Sequence, residues 1–322
     1  MDDEARKWER IWRADPTNQE ALRNAITALH RAGESVPENL RSALLLPKDM
    51  IERIRSEPEK DEPRLSFADW LLAVGDPRGE FIHAQCALAA YPSWPDRLEL
   101  RSRQKRLLDK FGKAWARAVR AVQAEVQFTR GFVEKLETDI GTLLGERGLQ
   151  AFEAEPIIEL DLVAHGGGAS VRALTRSPIL GRIRGLKLRG AGLEDALAEL
   201  LRSPLVAKLE KLNLGQCGVG AELAGVIAEA PSLGGLRKLA LTGSPIGDEG
   251  VAALAGSKNL EKCEELFLAR TEITEEGVQA LAESPHLGRL RVLGLSGNDL
   301  DLDEETVDEL RAKLKSLKRI EL

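Results

Sequence analysis

The chain has 322 residues, 30% charged, 43% hydrophobic and 4% aromatic, enough for two average domains or for a repeat array with an appendage. No run reaches the ~18 consecutive apolar residues of a membrane helix, and the start Met1-Asp-Asp-Glu is acidic where a secretory signal is basic and then apolar. A cytoplasmic protein with no membrane contact is therefore expected. The net charge of -6 argues against general coating of nucleic acid, and Cys86, Cys217 and Cys263 have neither the pairing of a disulfide framework nor CxxC spacing, so no metal and no cofactor are expected.

The aromatic residues separate two building plans. Trp8, Trp12, Trp70, Trp94, Trp115 and Tyr91 all precede residue 116, whereas after Phe152 only Phe267 remains. Large rings fill the centre of a compact helical domain, and leucine fills the narrow layers of a repeat array. The expected division is a helical segment over 1–60, a second helical domain over 61–127 and a repeat array over 128–322.

In the first segment, Trp8 and Trp12, then Ala14-Asp-Pro16, then Ala21, Leu22, Ile26 and Leu29 predict two helices ending near Gly33. The stretch is similar to part of one tetratricopeptide unit, too little to bury its own apolar face. From residue 61, Pro63 opens a helix with Leu65, Phe67 or Ala68, Trp70 and Leu71 on its apolar face, and Gly75 ends it. Asp76 and Pro77 start a second helix whose stripe is Phe81, Ile82, Cys86 and Leu88. The strings Ala68-Asp-Trp-Leu71 and Gly75-Asp-Pro-Arg-Gly-Glu-Phe-Ile82 resemble the repeat-companion domain found N-terminal to repeats in planctomycete and myxobacterial proteins, and Phe128-Thr-Arg-Gly-Phe-Val-Glu134 resembles its junction with those repeats. The resemblance implies no activity. His83 and Cys86, three apart on one helix, read as packing neighbours, because no third orienting group or acyl-transfer motif accompanies them.

A basic amphipathic segment follows. Arg103, Arg106, Lys110, Lys113, Arg117 and Arg120 recur by three and four, with Leu108, Phe111, Trp115, Val119 and Val122 opposite, which predicts one helix with a cationic face. Such a face is either merely solvated or complementary to an acidic protein surface, and phosphate or anionic lipid is the remaining option.

Beyond residue 156 the sequence repeats. The pair LxL closes at Leu162, Leu188, Leu214, Leu241, Leu268, Leu295 and Leu322, at steps of 26 or 27 residues. Ile183, Leu209, Leu236, Cys263, Leu290 and Leu317 fill the first place of a longer LxxLxL pattern, so Cys263 reads as a core position. Three residues past each closing leucine stand Ala191, Cys217, Ser244, Thr271 and Asn298, small or hydrogen-bonding groups suited to inward backbone atoms at a turn. Helices follow, with Asp301 and Glu304 reading as a capping box, and Pro178, Pro204, Pro231 and Pro285 end them. This pattern resembles the leucine-rich repeat of the ribonuclease-inhibitor-like class. It implies an α/β solenoid with a concave parallel sheet of about seven strands and convex helices, preceded by an α-helical N-terminal domain. The triplet Gly166-Gly-Gly168 is not read as a phosphate loop, since no GxxxxGK[ST] or GxGxxG surrounds it.

The resemblance implies a non-catalytic scaffold or adaptor that grips a protein on the concave face. Alternatives are a regulatory subunit of an enzyme or small GTPase, and an unrecognised enzyme in the N-terminal domain. Strand alternation turns Lys187, Arg189, Lys211, Asn213, Lys238, Ala240, Glu265, Phe267 and Gly294 away from the leucines, which makes them the expected partner-binding set; no catalytic or metal-ligating residue is expected. A monomer is expected, with the N-terminal helices capping the repeats and Lys313, Lys315, Lys318 and Arg319 guarding the last strand against edge pairing.

Overall fold

A computed structural model describes all residues except 1–2, 33–36, 38, 41–47, 91–92, 124, 301 and 303. The helix end at Gly33 and the capping box of Asp301 lie outside the described residues. The chain divides into two compact units, one of Met1–Glu134 with Arg147–Ile157, the other of Lys135–Glu146 with Ile158–Leu322.

The first unit is helical. It holds α1 (Asp3–Ala14), α2 (Gln19–Arg31), α3 (Lys48–Ser56), α4 (Glu62–Ala73), α5 (Arg78–Ala89), α6 (Trp94–Trp115) and the single turn α7 (Arg117–Arg120). The α4–α5 hairpin forms as its punctuation predicts. Gly75 adopts φ +73, the left-handed turn that lets the amides of Gly75 and Asp76 close on the last carbonyls of α4, and Asp76 then accepts the N–H of Arg78 at 2.8 Å to start α5. Gly79 is required because a Cβ there would stand 2.4 Å from the Ala68 carbonyl oxygen of the facing helix. Phe67, Ala68, Leu71, Ile82, Cys86 and Phe132 form one core cluster with Ile51 and Ile54, while Trp8, Trp12 and Trp70 pack on a second built from Ala5, Leu22, Ile26 and Leu29. The basic segment departs from the single helix expected. The helix ends at Trp115, Ala116 turns, and Arg117 and Arg120 belong to α7.

Three buried arginines tie this unit together. Arg78 donates to both carboxylate oxygens of Glu155 at 2.8 Å and to the Gly131 carbonyl, lies near the rings of Phe128 and Phe132, and shares Glu155 with the N–H of Val133. Arg55 holds the carbonyls of Phe152 and Glu155 at 2.8 Å, and Arg64, fully buried, pairs with Glu134 and the Lys60 carbonyl. The signature strings are therefore structural: Gly-Asp-Pro-Arg makes the turn and the buried cation, and Thr-Arg-Gly-Phe makes a reverse turn closed by Thr129 and Phe132.

The second unit is a sequential parallel sheet, β1 (Lys135–Asp139), β2 (Glu159–Val163), β3 (Gly185–Arg189), β4 (Lys211–Asn213), β5 (Lys238–Ala240), β6 (Glu265–Phe267), β7 (Val292–Gly294) and β8 (Arg319–Glu321), hydrogen-bonded in that order. Seven strands are those the leucine period marks, and β1 is an eighth. Along the chain the strands alternate with α8 (Ile140–Leu144), α9 (Glu146–Ala154), α10 (Gly167–Thr175), α11 (Glu194–Arg202), α12 (Ala221–Glu229), α13 (Gly247–Ala255), α14 (Glu275–Ala282) and α15 (Glu304–Lys313), of which α9, from Arg147 on, belongs to the first unit. The glycine triplet opens α10. Leu136, Leu160, Leu186, Leu212, Leu239, Leu266, Leu293 and Ile320 stand in register across the sheet, and all but the half-exposed Ile320 are buried. Pro178, Pro204 and Pro231 end helices as expected and also open short 3-10 turns.

Three of the turn positions carry the bonds their chemistry suggests, whereas the buried Ser244 hydroxyl makes no hydrogen bond. Cys217 Sγ donates to the Leu188 carbonyl at 3.1 Å, Thr271 Oγ1 to that of Leu268 at 2.6 Å, and Asn298 Nδ2 to those of Leu268 and Leu295 while its Oδ1 accepts the Thr271 amide. On the helical side, Ser232 and Ser257 reach back to the Leu201 and Ala228 carbonyls of the preceding coil at 2.9 and 2.6 Å. These groups satisfy backbone atoms that leucine packing alone would leave unpaired.

Candidate functional site: the concave sheet

Because side chains alternate along a strand, the residues flanking each inward leucine form two outward rows. One row runs Lys135, Glu159, Gly185, Lys211, Lys238, Glu265, Val292 and Arg319; the other runs Glu137, Asp161, Lys187, Asn213, Ala240, Phe267, Gly294 and Glu321. All nine residues of the expected binding set fall on this face. Their exposure differs: Lys211 is exposed, Lys187, Arg189, Asn213, Lys238, Glu265 and Phe267 are half-buried, and Ala240 and Gly294 are buried. Those last two are floor, not contact side chains.

Phe267 shows why. Its ring lies on Gly294, where a Cβ would meet Cδ1 at 2.8 Å, and the Lys238 ammonium sits 4.6 Å from the ring centre while pairing with Glu265 at 2.6 Å. Glycine at 294 is what lets the ring lie down. The result is an aromatic surface held in one orientation on a rigid sheet.

Toward β1 the face is charged. Asp161, with only 3% of its side chain exposed, accepts from Lys187 Nζ at 3.0 Å and Arg189 Nη2 at 2.9 Å, with Lys135 at 3.5 Å. Arg189 also reaches Glu137 at 3.0 Å, and Lys211 spans Gly185 to Glu159 at 2.6 Å. Burial works against ionisation of Asp161, but the hydrogen bond from Lys187 and the nearby charges of Lys187, Arg189 and Lys135 outweigh it and hold the carboxyl below the usual carboxylate range. A lowered folded-state value means that Asp161 contributes stability above the unfolded value of ~4 and loses it as pH falls through the folded value. The stability gap between the natural chain and Asp161→Asn should therefore be widest near neutrality and shrink below about pH 4 in urea titrations. A gap independent of pH would contradict this assignment.

A shallow hollow of about 160 Å³ opens in this charged region, lined by Lys135, Lys187, Lys211 and Lys238 together with Glu159 and Asp161. One step before the strands, Arg184, Glu210, Arg237, Glu264 and Arg291 form a separate ladder of alternating sign, with Arg237 to Glu264 at 2.8 Å and Arg291 to Glu264 at 3.5 Å. The period of the leucines could have revealed both features, since each row recurs at the same spacing.

The expected basic patch is exposed throughout, with Arg103 paired to Glu80 and Arg106 donating to Ser102 at 3.0 Å. His83 meets Asp69 at 2.8 Å on the surface, whereas Cys86 is buried and its thiol pushed up to about 12, chiefly by that burial. Burial likewise pushes Cys217 up to about 11 and Cys263 up to about 12. None of the three is held as a thiolate nucleophile. Among the described residues no three His, Cys, Asp or Glu side chains gather as metal ligands, and no helix is long and apolar enough to cross a membrane.

No curated protein matches the chain. An internalin (inlF) from Listeria monocytogenes, known from a crystal structure, is similar over 59% of this chain and 67% of its own, at 16% identity and a TM-score of 0.27. Residues 236–255, which run from the first slot of one repeat through its strand and turn to the end of α13, match the Leucine Rich repeat family model. With that match, the 26 to 27 residue period and the in-register leucine row, the second unit is a leucine-rich-repeat solenoid, and the chain is an α-helical N-terminal region followed by that solenoid.

Proposed function

We propose that this protein is a non-catalytic scaffold or adaptor that holds a protein partner on the outward face of β1–β8. The observation that carries this reading is Phe267, a half-exposed ring fixed between Gly294 and Lys238 on a sheet that needs no ordering to bind. An aromatic anchor in a preformed surface is where binding energy concentrates, because little side-chain freedom is lost on association. The helical unit is a repeat-companion domain in this reading, since the residues of its signature strings are spent on its own turns and buried ion pairs. Three buried free thiols favour a reducing, cytoplasmic setting, and the protein acts as a monomer.

The lysines make the test direct. Amine-reactive crosslinking to the partner captured from the native host should place its crosslinks on Lys187, Lys211 and Lys238; crosslinks confined to Lys105, Lys110 and Lys113 of α6 would move the site off the repeats. The exposed cations of α6 and α7 then serve encounter, not specificity. Reversing Arg106, Lys110, Lys113 and Arg117 to Glu should lower the association rate and flatten its salt dependence, with dissociation unchanged. An unaltered association rate in stopped-flow measurements would leave those residues as a solvated face.

A further inference from the structure

The three central strands β3, β4 and β5 turn Lys187, Arg189, Lys211 and Lys238 outward and carry no acid among their outward positions, which otherwise hold Gly185, Asn213 and Ala240. Strands lie about 4.8 Å apart, so four cations occupy a strip about 10 Å wide. Every one of them leans sideways to an acid on a neighbouring strand: Lys187 and Arg189 to Asp161, Arg189 also to Glu137, Lys211 to Glu159, and Lys238 to Glu265. The Lys211–Glu159 and Lys238–Glu265 pairs are part-exposed on both sides and contribute only about 0–1 kcal/mol each, so an incoming carboxylate can replace them at little cost, while the pairs to the buried Asp161 stay in place. The hollow beneath these lysines is lined by Glu159 and Asp161 as well, so an incoming carboxylate meets the ammonium groups at its rim. Further along, the second row turns apolar at Ala240, Phe267 and Gly294, while the first passes through Glu265 to Val292.

We infer that the partner contributes a polar-ended segment: a short run of carboxylates seated on β3–β5, followed by an apolar side chain laid against Phe267. This rests on the concave-face reading and specifies its ligand chemistry. An acidic protein segment fits better than a nucleic acid, because a phosphate backbone extending past the strip would meet Glu137, Glu159 and Asp161 on one side and Glu265 on the other. A peptide with two or three carboxylates takes Lys211 and Lys238 from Glu159 and Glu265 without running along that acidic margin.

The test is selection of a random phage-displayed peptide library on the immobilised full-length chain, with synthetic copies of the selected peptides then measured by fluorescence anisotropy. The expected result is enrichment of Asp and Glu followed by an apolar residue, at least a tenfold loss of affinity for Lys211→Glu, and a loss for Phe267→Ala. Lys211→Gln, which removes charge without adding a clash, should lose affinity in the same direction, and unchanged melting curves keep the comparison about binding. Selected peptides that are neutral or basic yet depend on Phe267 would overturn the acidic segment and leave the concave face standing. Peptides indifferent to all these substitutions, or a selection that recovers none, would overturn both. Tighter binding of a DNA duplex that displaces the peptides from the lysine strip would overturn the inference in favour of a phosphate backbone.

Discussion

Glu155→Gln should destabilise the helical unit by about 3–5 kcal/mol, because it leaves the Arg78 guanidinium buried beside a neutral amide. Arg78 and Glu155 have side-chain exposures of 4% and 2%, so water cannot take over the lost charge. The amide oxygen can still accept the Val133 N–H, and the loss is therefore assigned to the uncompensated cation and not to an orphaned backbone donor. Arg78→Met with Glu155→Leu should recover part of the stability, since two apolar groups of similar size need no partner; the Val133 N–H and Gly131 carbonyl left behind limit that recovery. Urea unfolding followed by helical circular dichroism measures both. Burial pushes the Glu155 carboxyl above its ordinary value against the opposing Arg78 charge, so a loss below about 1 kcal/mol for Glu155→Gln would mean an already protonated carboxyl and contradict an ionised pair.

Leu239→Ala should cost the repeat unit about 2–5 kcal/mol, and it should change how that unit unfolds. Leu239 is fully buried in β5, stacked between Leu212 and Leu266, so truncation opens a void that neighbours on both sides border. A solenoid couples each coil only to its neighbours, so a weak central layer divides one cooperative unit into two. The denaturant transition should broaden or split. Ile320→Ala, the same row's half-exposed member in β8, should cost less and leave the transition sharp. Equal effects at the two positions would contradict nearest-neighbour coupling.

Much of this architecture is legible in the sequence, and the exceptions have physical causes. Leucine spacing marked seven strands, since a closing leucine must recur wherever a coil seals against the next. It missed β1 because Thr138 stands where the closing leucine would, paired to Leu162, and because Lys135 precedes its register partner Glu159 by 24 residues instead of 26 or 27. The α4–α5 hairpin was legible from Gly75 and the Asp76-Pro77 start. The buried arginines were not: Arg78 reads as a surface residue, and its partner Glu155 lies 77 positions away. The break at Ala116 escaped because the apolar spacing continues through it. On the sheet, alternation placed the whole candidate set on one face, yet it could not show that Ala240 and Gly294 lie beneath their neighbours or that Lys238 covers Phe267.

The central claim is that the outward face of the repeats, and not the helical unit, holds the partner. Calorimetric titration of the captured partner into four matched proteins tests it most directly: the natural chain, Phe267→Ala, Lys211→Glu, and Arg106→Glu with Lys110→Glu. The account predicts a loss of about 2 kcal/mol or more for each concave-face variant, at unchanged melting temperature, and a loss under about 1 kcal/mol for the α6 variant. Undiminished affinity in both concave-face variants, with binding abolished in the α6 variant, would contradict it.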